Sequence, residues 1–189
     1  MKKIFSSVAV ASLLCVGANA LEIDAASVKT HFTGFKLAKK LGVNGEIDGA
    51  EYKFGKNSGS AVEILEGTTA NMDFANKNTK DKIRDKNIQR TYVDNLKNSK
   101  ISASLKNVKG DDVSGNATGV ITFNDVTKEI PMTYKVENNK LVVKGEINMR
   151  TDFNTEESFT ALSTDKQISA LHGKKTWEEV EIYFDVDVK

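Results

Sequence analysis

Apolar residues fall at every second position along most of this chain, and that period limits what it can fold into more than any motif does. Val180, Ile182, Phe184, Val186 and Val188 alternate with Glu181, Tyr183, Asp185 and Asp187. A strand repeats its side-chain direction every two residues, so this segment presents one apolar and one charged face. The same alternation runs through Ile130, Met132, Tyr134 and Val136, and through Leu141, Val143, Gly145, Ile147 and Met149. Glu137-Asn138-Asn139-Lys140 between them reads as a hairpin turn. Shorter runs are Ile101, Ala103 and Leu105; Gly119, Ile121 and Phe123; Val28, Thr30 and Phe32; and Val43, Gly45 and Ile47. Beyond Gly49 the phase flips to Tyr52 and Phe54, which predicts a bulge, and Val62 with Ile64 adds a short strand. About eight strands with short Gly, Asn and Asp connections specify an antiparallel sandwich or barrel. Most follow one another without an intervening helix, which disfavours a parallel α/β architecture.

Two segments depart from the period of two. In residues 79–96, Ile88, Tyr92 and Leu96 fall four apart, with Ile83 and Val93 near the same face and charge elsewhere. That spacing predicts an amphipathic helix of three or four turns. Residues 156–172 carry Phe159, Leu162, Ile168 and Leu171 at rough helical spacing, with Gly173 placed to end a helix. There is no internal repeat and no linker.

The first 20 residues belong to a different class of signal. Lys2 and Lys3 precede an apolar run from Ile4 to Val16, and Ala18-Asn19-Ala20 fits the small-residue cleavage rule. The pattern predicts a Sec signal peptide over residues 1–20, cleaved after Ala20, and one mature domain over residues 21–189. The apolar run is too short to span a bilayer comfortably. Leu14 stands where a lipoprotein signal would place a small residue before Cys15. Cleavage removes two lysines and leaves 25 basic against 26 acidic residues. That balance argues against a general nucleic-acid binder. The sole cysteine goes with the leader, which excludes a disulfide framework and thiol chemistry. No second long apolar run follows, so the expectation is a soluble periplasmic protein without stable membrane insertion.

Little catalytic chemistry is visible. His31 and His172 are the two histidines, far apart, with no metal-ligand spacing around them. No G-x-S-x-G elbow and no Gly-rich phosphate loop occurs. Asp111-Asp112 and Glu156-Glu157 read as solvated polar turns. The expectation is therefore no metal, no cofactor and no enzyme. The large side chains Phe32, Phe54, Phe123, Met132, Tyr134, Met149 and Phe184 share the apolar phase of their strands, which in a small barrel points inward. Such an interior can be filled by its own side chains or can hold one small ligand, and periodicity does not distinguish the two.

One run goes further. Residues 115–136, GNATGVITFNDVTKEIPMTYKV, resemble the strand–turn–strand core of the YceI-like family of periplasmic lipid-binding proteins, whose run is like Gly-x-Leu-Thr-Leu-His-Gly-Val-Thr-Lys. Gly119, Ile121, Thr122, Phe123, Val126, Thr127 and Lys128 match it, whereas Asn124 and Asp125 replace the family's His-Gly, so no role is carried onto that turn. LEIDAASVKTHF resembles the opening strand, and VNGEIDGAEYKF the next strand pair. Arg84-Asp85 with Ile88 resembles an Arg-Asp-x-x-Leu helix start, and Arg150-Thr151-Asp152-Phe153 an Arg-x-Asp-Phe run.

The resemblance implies an all-β fold with minor helices: an elongated, antiparallel, eight-stranded lipocalin-like barrel with a covering helix. It also implies an interior tunnel for a long apolar chain such as a polyisoprenoid, quinone or fatty amide, and a homodimer. The expected lining is Phe32, Phe54, Ile121, Phe123, Met132, Tyr134, Ile147, Met149, Phe153, Ile182 and Phe184, with Ile88, Tyr92 and Leu96 from the covering helix. Arg84, Arg90 and Arg150 are headgroup candidates, each also explicable by an ion pair, Arg150 with Asp152 or Arg84 with Asp81. Enzymatic action on such a lipid and a structural protein with a filled barrel remain as alternatives.

Overall fold

The computed structural model describes residues 20–173 and 175–189, so the predicted leader at residues 1–19 lies outside the described residues. Strands β1 (Leu21–Lys36), β2 (Leu41–Ile47), β3 (Glu51–Lys53) and β4 (Ser58–Gly59) precede a short helix, α1 (Ala61–Leu65). Strands β5 (Thr69–Asp73) and β6 (Lys77–Asn78) lead into helix α2 (Lys82–Thr91). A run of long strands follows: β7 (Lys100–Gly110), β8 (Ser114–Phe123), β9 (Val126–Glu137) and β10 (Lys140–Asn148). Helices α3 (Glu156–Thr164) and α4 (Lys166–Leu171) then lead to the last strand, β11 (Thr176–Val188).

All pairings are antiparallel, in the order β3-β5-β7-β8-β9-β10-β11-β1-β2-β6, with β4 on the start of β1. The sheet curls into a half-barrel whose ends are joined by the chain itself, because β2 and β3 are separated by three residues around Gly49. This is the predicted phase break, and Gly49 holds φ +73° there. The register brings the apolar phases onto one concave surface: Phe32 opposite Ile182, Ile182 opposite Gly145, and Gly145 opposite Met132. The β9–β10 turn has Asn138 and Asn139 both at positive φ, the twist that two-residue hairpins need. Asn124-Asp125, at φ 50° and 63°, makes the same kind of turn between β8 and β9.

Two apolar cores close the half-barrel at opposite ends. At the lower end Ala61, Ile64 and Leu65 of α1 are fully buried among Ile23, Leu141, Val186 and Val188. The expected strand at Val62 and Ile64 is therefore a helix. Ser60 and Glu63 form a reciprocal capping box, and the Asp112 carboxylate accepts from the Ala61 N–H at 2.8 Å. Three satisfied end groups outweigh a two-residue alternation.

At the upper end Tyr92, Phe123, Phe153, Phe159, Leu162 and Ile168 form the second core beneath α2, α3 and α4. Helix α2 is shorter than the predicted 79–96. Asp81 caps it by accepting from the Ile83 and Arg84 N–H groups, and Val93–Asn95 tightens into a 3₁₀ turn. Residues 156–172 are two helices because Asp165 breaks the run and caps α4 through the Gln167 and Ile168 N–H groups. Gly173, at φ +57°, follows α4.

Candidate functional site

Between the concave sheet and the upper helices lies a cavity of about 470 Å³, within the range of small-molecule sites. Its walls come from alternate positions of the strands: Phe32 on β1, Ile121 and Phe123 on β8, Met132 on β9, Ile147 on β10, and Ile182 with Phe184 on β11. Ile88, Tyr92, Phe153, Leu162 and Ile168 close it from above. Two glycines keep the lumen open. A Cβ at Gly45 would stand 2.3 Å from the Phe32 ring, and one at Gly145 would stand 2.3 Å from the Met132 sulfur. Both large side chains therefore lie flat on bare backbone instead of projecting across the space.

The polar groups within the walls are few and satisfied. The Tyr52 hydroxyl sits 2.8 Å from Thr30 Oγ1. The Tyr92 hydroxyl donates to the Met149 carbonyl at 3.0 Å and lies 3.0 Å from Thr155 Oγ1. Burial pushes both phenols up to about 12, so both stay neutral. Such groups can orient a ligand but do not exchange protons near neutral pH.

Charge collects at one opening, bordered by Lys36, Asp81, Arg84, His172 and Trp177 with Ile83 and Leu171. Arg84 donates at 3.4 Å to the Thr79 carbonyl and to Asp81 Oδ2. His172 Nδ1 lies 3.0 Å from Thr176 Oγ1. Burial first, then the Lys36 and Arg84 charges, hold the His172 imidazole below its usual range. Among the described residues no group of three His, Cys, Asp or Glu side chains could hold a metal ion.

Of the expected lining, Phe32, Ile88, Tyr92, Ile121, Phe123, Met132, Ile147, Met149, Phe153, Ile182 and Phe184 border the cavity. Phe54, Leu96 and Tyr134 do not. Phe54 packs in the lower core against the Tyr52 and Phe184 rings. Tyr134 shares the phase of Met132 but lies below the cavity, with its hydroxyl donating to the Asp111 carbonyl at 2.8 Å. Leu96 lies beyond the end of α2, against the upper core.

The arginines separate in the same way. Arg84 borders the opening, whereas Arg90 binds Asp165 at 2.8 Å. Arg150 binds Glu156 and Glu178, not Asp152. Asp152 instead accepts from the Asn148 N–H. His31, on the outward phase, pairs with Asp185 at 2.8 Å and stacks on Tyr183. Sequence reasoning left Asn124 without a role. Its side chain accepts from the Lys97 N–H and donates to the Phe153 and Asn154 carbonyls, pinning the upper core to the β8–β9 turn. It also missed Lys36, His172 and Trp177 at the opening. No motif marks them; only the register of Lys36 opposite Thr176 places them together.

Comparison with known proteins adds to this geometry. A family model described as "YceI-like domain" matches residues 20–188. No curated protein sequence matches the chain. Among solved structures, Burkholderia cenocepacia BcnA superposes with a TM-score of 0.58 at 15% identity, over 89% of this chain and 99% of that one. A polyisoprenoid binding domain from Saccharophagus degradans, implicated in plant cell wall breakdown, superposes with a TM-score of 0.54 at 11% identity, over 90% and 98%. The Campylobacter jejuni YCEI protein gives 0.53 at 16% identity, over 78% and 85%. These likenesses are of fold.

Proposed function

Because this chain belongs to the YceI-like family, we propose that it is a non-enzymatic periplasmic carrier that holds one long-chain apolar lipid in the cavity. The observation that carries the reading is the cavity itself: about 470 Å³, walled by aliphatic and aromatic side chains, with its wall hydroxyls already bonded. A chain of methylenes and methyls gains by leaving water and asks for no polar partner along its length. The S. degradans domain, described as polyisoprenoid binding, supports a polyisoprenoid, with a quinone or fatty amide as related occupants. In this reading the side chains that border the cavity hold the tail and Arg84, at the opening, meets the headgroup. Arg90 and Arg150 serve the upper helices through their ion pairs. The protein acts as a homodimer, exported with its leader removed after Ala20. An enzyme acting on the same lipid would need a proton-exchanging pair beside the chain; along its apolar walls this cavity offers two neutral phenols, and Asp81 and His172 stand apart from them at the opening.

Organic extraction of natively purified protein, followed by mass spectrometry, tests the reading. The expected result is one dominant long-chain species near one equivalent per chain. An extract without such a species, from protein that is folded and was never exposed to detergent, would overturn it.

A further inference from the structure

Among the described residues four large apolar side chains are conspicuously exposed: Ile83 at 74%, Leu171 at 65%, Val113 at 65% and Leu41 at 45%. A single exposed leucine needs no explanation. Three of these four, however, surround one opening. Ile83 on α2 and Leu171 on α4 border it directly, and Leu41 pairs in register with Lys36, which also borders it.

The same end is basic. The turn between β1 and β2 carries Lys36, Lys39 and Lys40 with no acid among them. Arg84 and Lys86 on α2 and Lys175 before β11 stand at the same end. The acids at this end are Asp81, 3.4 Å from Arg84, Glu179, 3.8 Å from Lys40, and Asp85 on α2, whose carboxylate accepts from the Thr79 N–H and hydroxyl. The whole chain has a formal charge of only +1, and the far end of the barrel holds Asp111 and Asp112 in its β7–β8 turn, while Glu137 and Lys140 balance each other across the β9–β10 turn. Charge is therefore polarised along the barrel axis. Trp177 adds an interfacial element: its indole N–H donates to the Leu37 carbonyl, and the Lys40 and Lys175 ammonium groups lie 5.1 and 4.6 Å from its ring. Indole rings flanked by lysines favour the headgroup layer of a bilayer.

We propose that this opening is a docking surface for an anionic lipid bilayer, with Ile83, Leu171 and Leu41 entering the acyl boundary and the surrounding lysines and Arg84 contacting the headgroups. Apolar tips inside a basic ring are the pattern of interfacial binding, in which charge attracts and apolar burial retains. The opening of the cavity then faces the lipid phase, so an apolar chain passes between bilayer and cavity without crossing water. The surface takes its purpose from the carrier reading, but its geometry and its test do not depend on it.

Flotation of the full mature protein with vesicles tests the surface. Vesicles of phosphatidylcholine alone are compared with vesicles containing phosphatidylglycerol, at low and at raised salt. Wild-type protein should float with the phosphatidylglycerol vesicles only, less so as salt screens the attraction. A lysine near a charged membrane contributes about a fivefold factor, so Lys39→Glu with Lys86→Glu should weaken binding at least about twentyfold. Ile83→Ser should weaken binding further at raised salt, and Lys135→Glu, near the far end, should bind as wild type. No flotation, equal flotation with both vesicles, or an equal loss in Lys135→Glu would overturn the docking surface. Lys39 and Lys86 do not border the cavity, so extracted lipid content serves as a separate readout. Normal lipid content without flotation sinks the docking surface alone. Flotation of a protein with no extractable lipid supports the docking surface and sinks the carrier reading instead.

Discussion

Ala103→Leu separates an open cavity from a packed core by the sign of its effect. Ala103 lies in the middle of β7, between Ala70 of β5 and Ile121 of β8, and borders the cavity. Leucine adds three carbons pointing into the lumen. In a core packed to ordinary density those carbons have nowhere to go, and overpacking costs about 1–3 kcal/mol. Beside about 470 Å³ of space they fit without displacing the opposite wall. Each buried carbon then contributes about 0.8 kcal/mol, a ceiling of about 2.4 kcal/mol for the three. Their far sides still face the lumen, so about 1 kcal/mol of stabilisation is the reasonable expectation. For a domain of this size that is a rise of about 2–4 °C in Tm. The space that the leucine takes is lost to the ligand, so the lipid recovered per chain should fall. Melting must be measured on delipidated protein, because bound ligand stabilises by itself. A variant destabilised by about 1–3 kcal/mol, with lipid content unchanged, would refute the cavity at Ala103.

Met132→Glu should bury an unpaired charge, costing about 3–5 kcal/mol and abolishing lipid loading, whereas Lys135→Glu on the opposite phase should stay within about 0.5 kcal/mol by urea unfolding. Equal effects at the two positions would contradict the strand phase. Tyr92→Phe removes the hydroxyl that ties the end of α2 to the Met149 carbonyl, which keeps its bond from Thr155. A loss of about 1 kcal/mol corresponds to roughly fivefold faster hydrogen exchange in α2, with Ile182 in β11 unchanged; uniform acceleration would argue against a separately opening cover. The Asp73 carboxyl is held at about 2, chiefly by its hydrogen bond from Lys100. A folded value below the unfolded one means stabilisation that is complete above about pH 4 and is lost as pH falls towards 2. Asp73→Asn should flatten the stability profile in that window and leave the profile above pH 5 parallel to wild type; an unchanged acid slope would show that the pair contributes nothing.

The fold was largely legible because most of it is long strands whose apolar phase survives in the structure. Val180 to Val188, Ile130 to Val136 and Gly119 to Phe123 each turn the expected face inward. Where local chemistry competes with period, period misleads. Ser60 and Glu63 make a capping box, so Val62 and Ile64 sit on a helix. Asp81 and Asp165 set helix ends that hydropathy places elsewhere. Strand β5, with only Ala70 and Met72 on its inward phase, gave too little contrast to be read.

The site was half legible for a related reason. Phase says which face a residue takes but not how far along the barrel axis it lies. Phe54 and Tyr134 have the phase of the lining and yet pack in the lower core. The opening depends on β1 meeting β11 and on α2 meeting α4 across large sequence separations. No local pattern joins Lys36, Ile83 and His172. The ion pairs of Arg90 with Asp165 and Arg150 with Glu178 are hidden from sequence in the same way.

The most direct test of the carrier account is a crystal structure of protein purified natively, without detergent or added lipid. The account predicts continuous elongated density inside the cavity, starting near Phe184 and Met132, passing Ile121 and Phe32, and leaving between Ile83 and Leu171 beside Arg84. A cavity filled by ordered water, or closed by Phe32 and Met132 swung off their glycines, would contradict it.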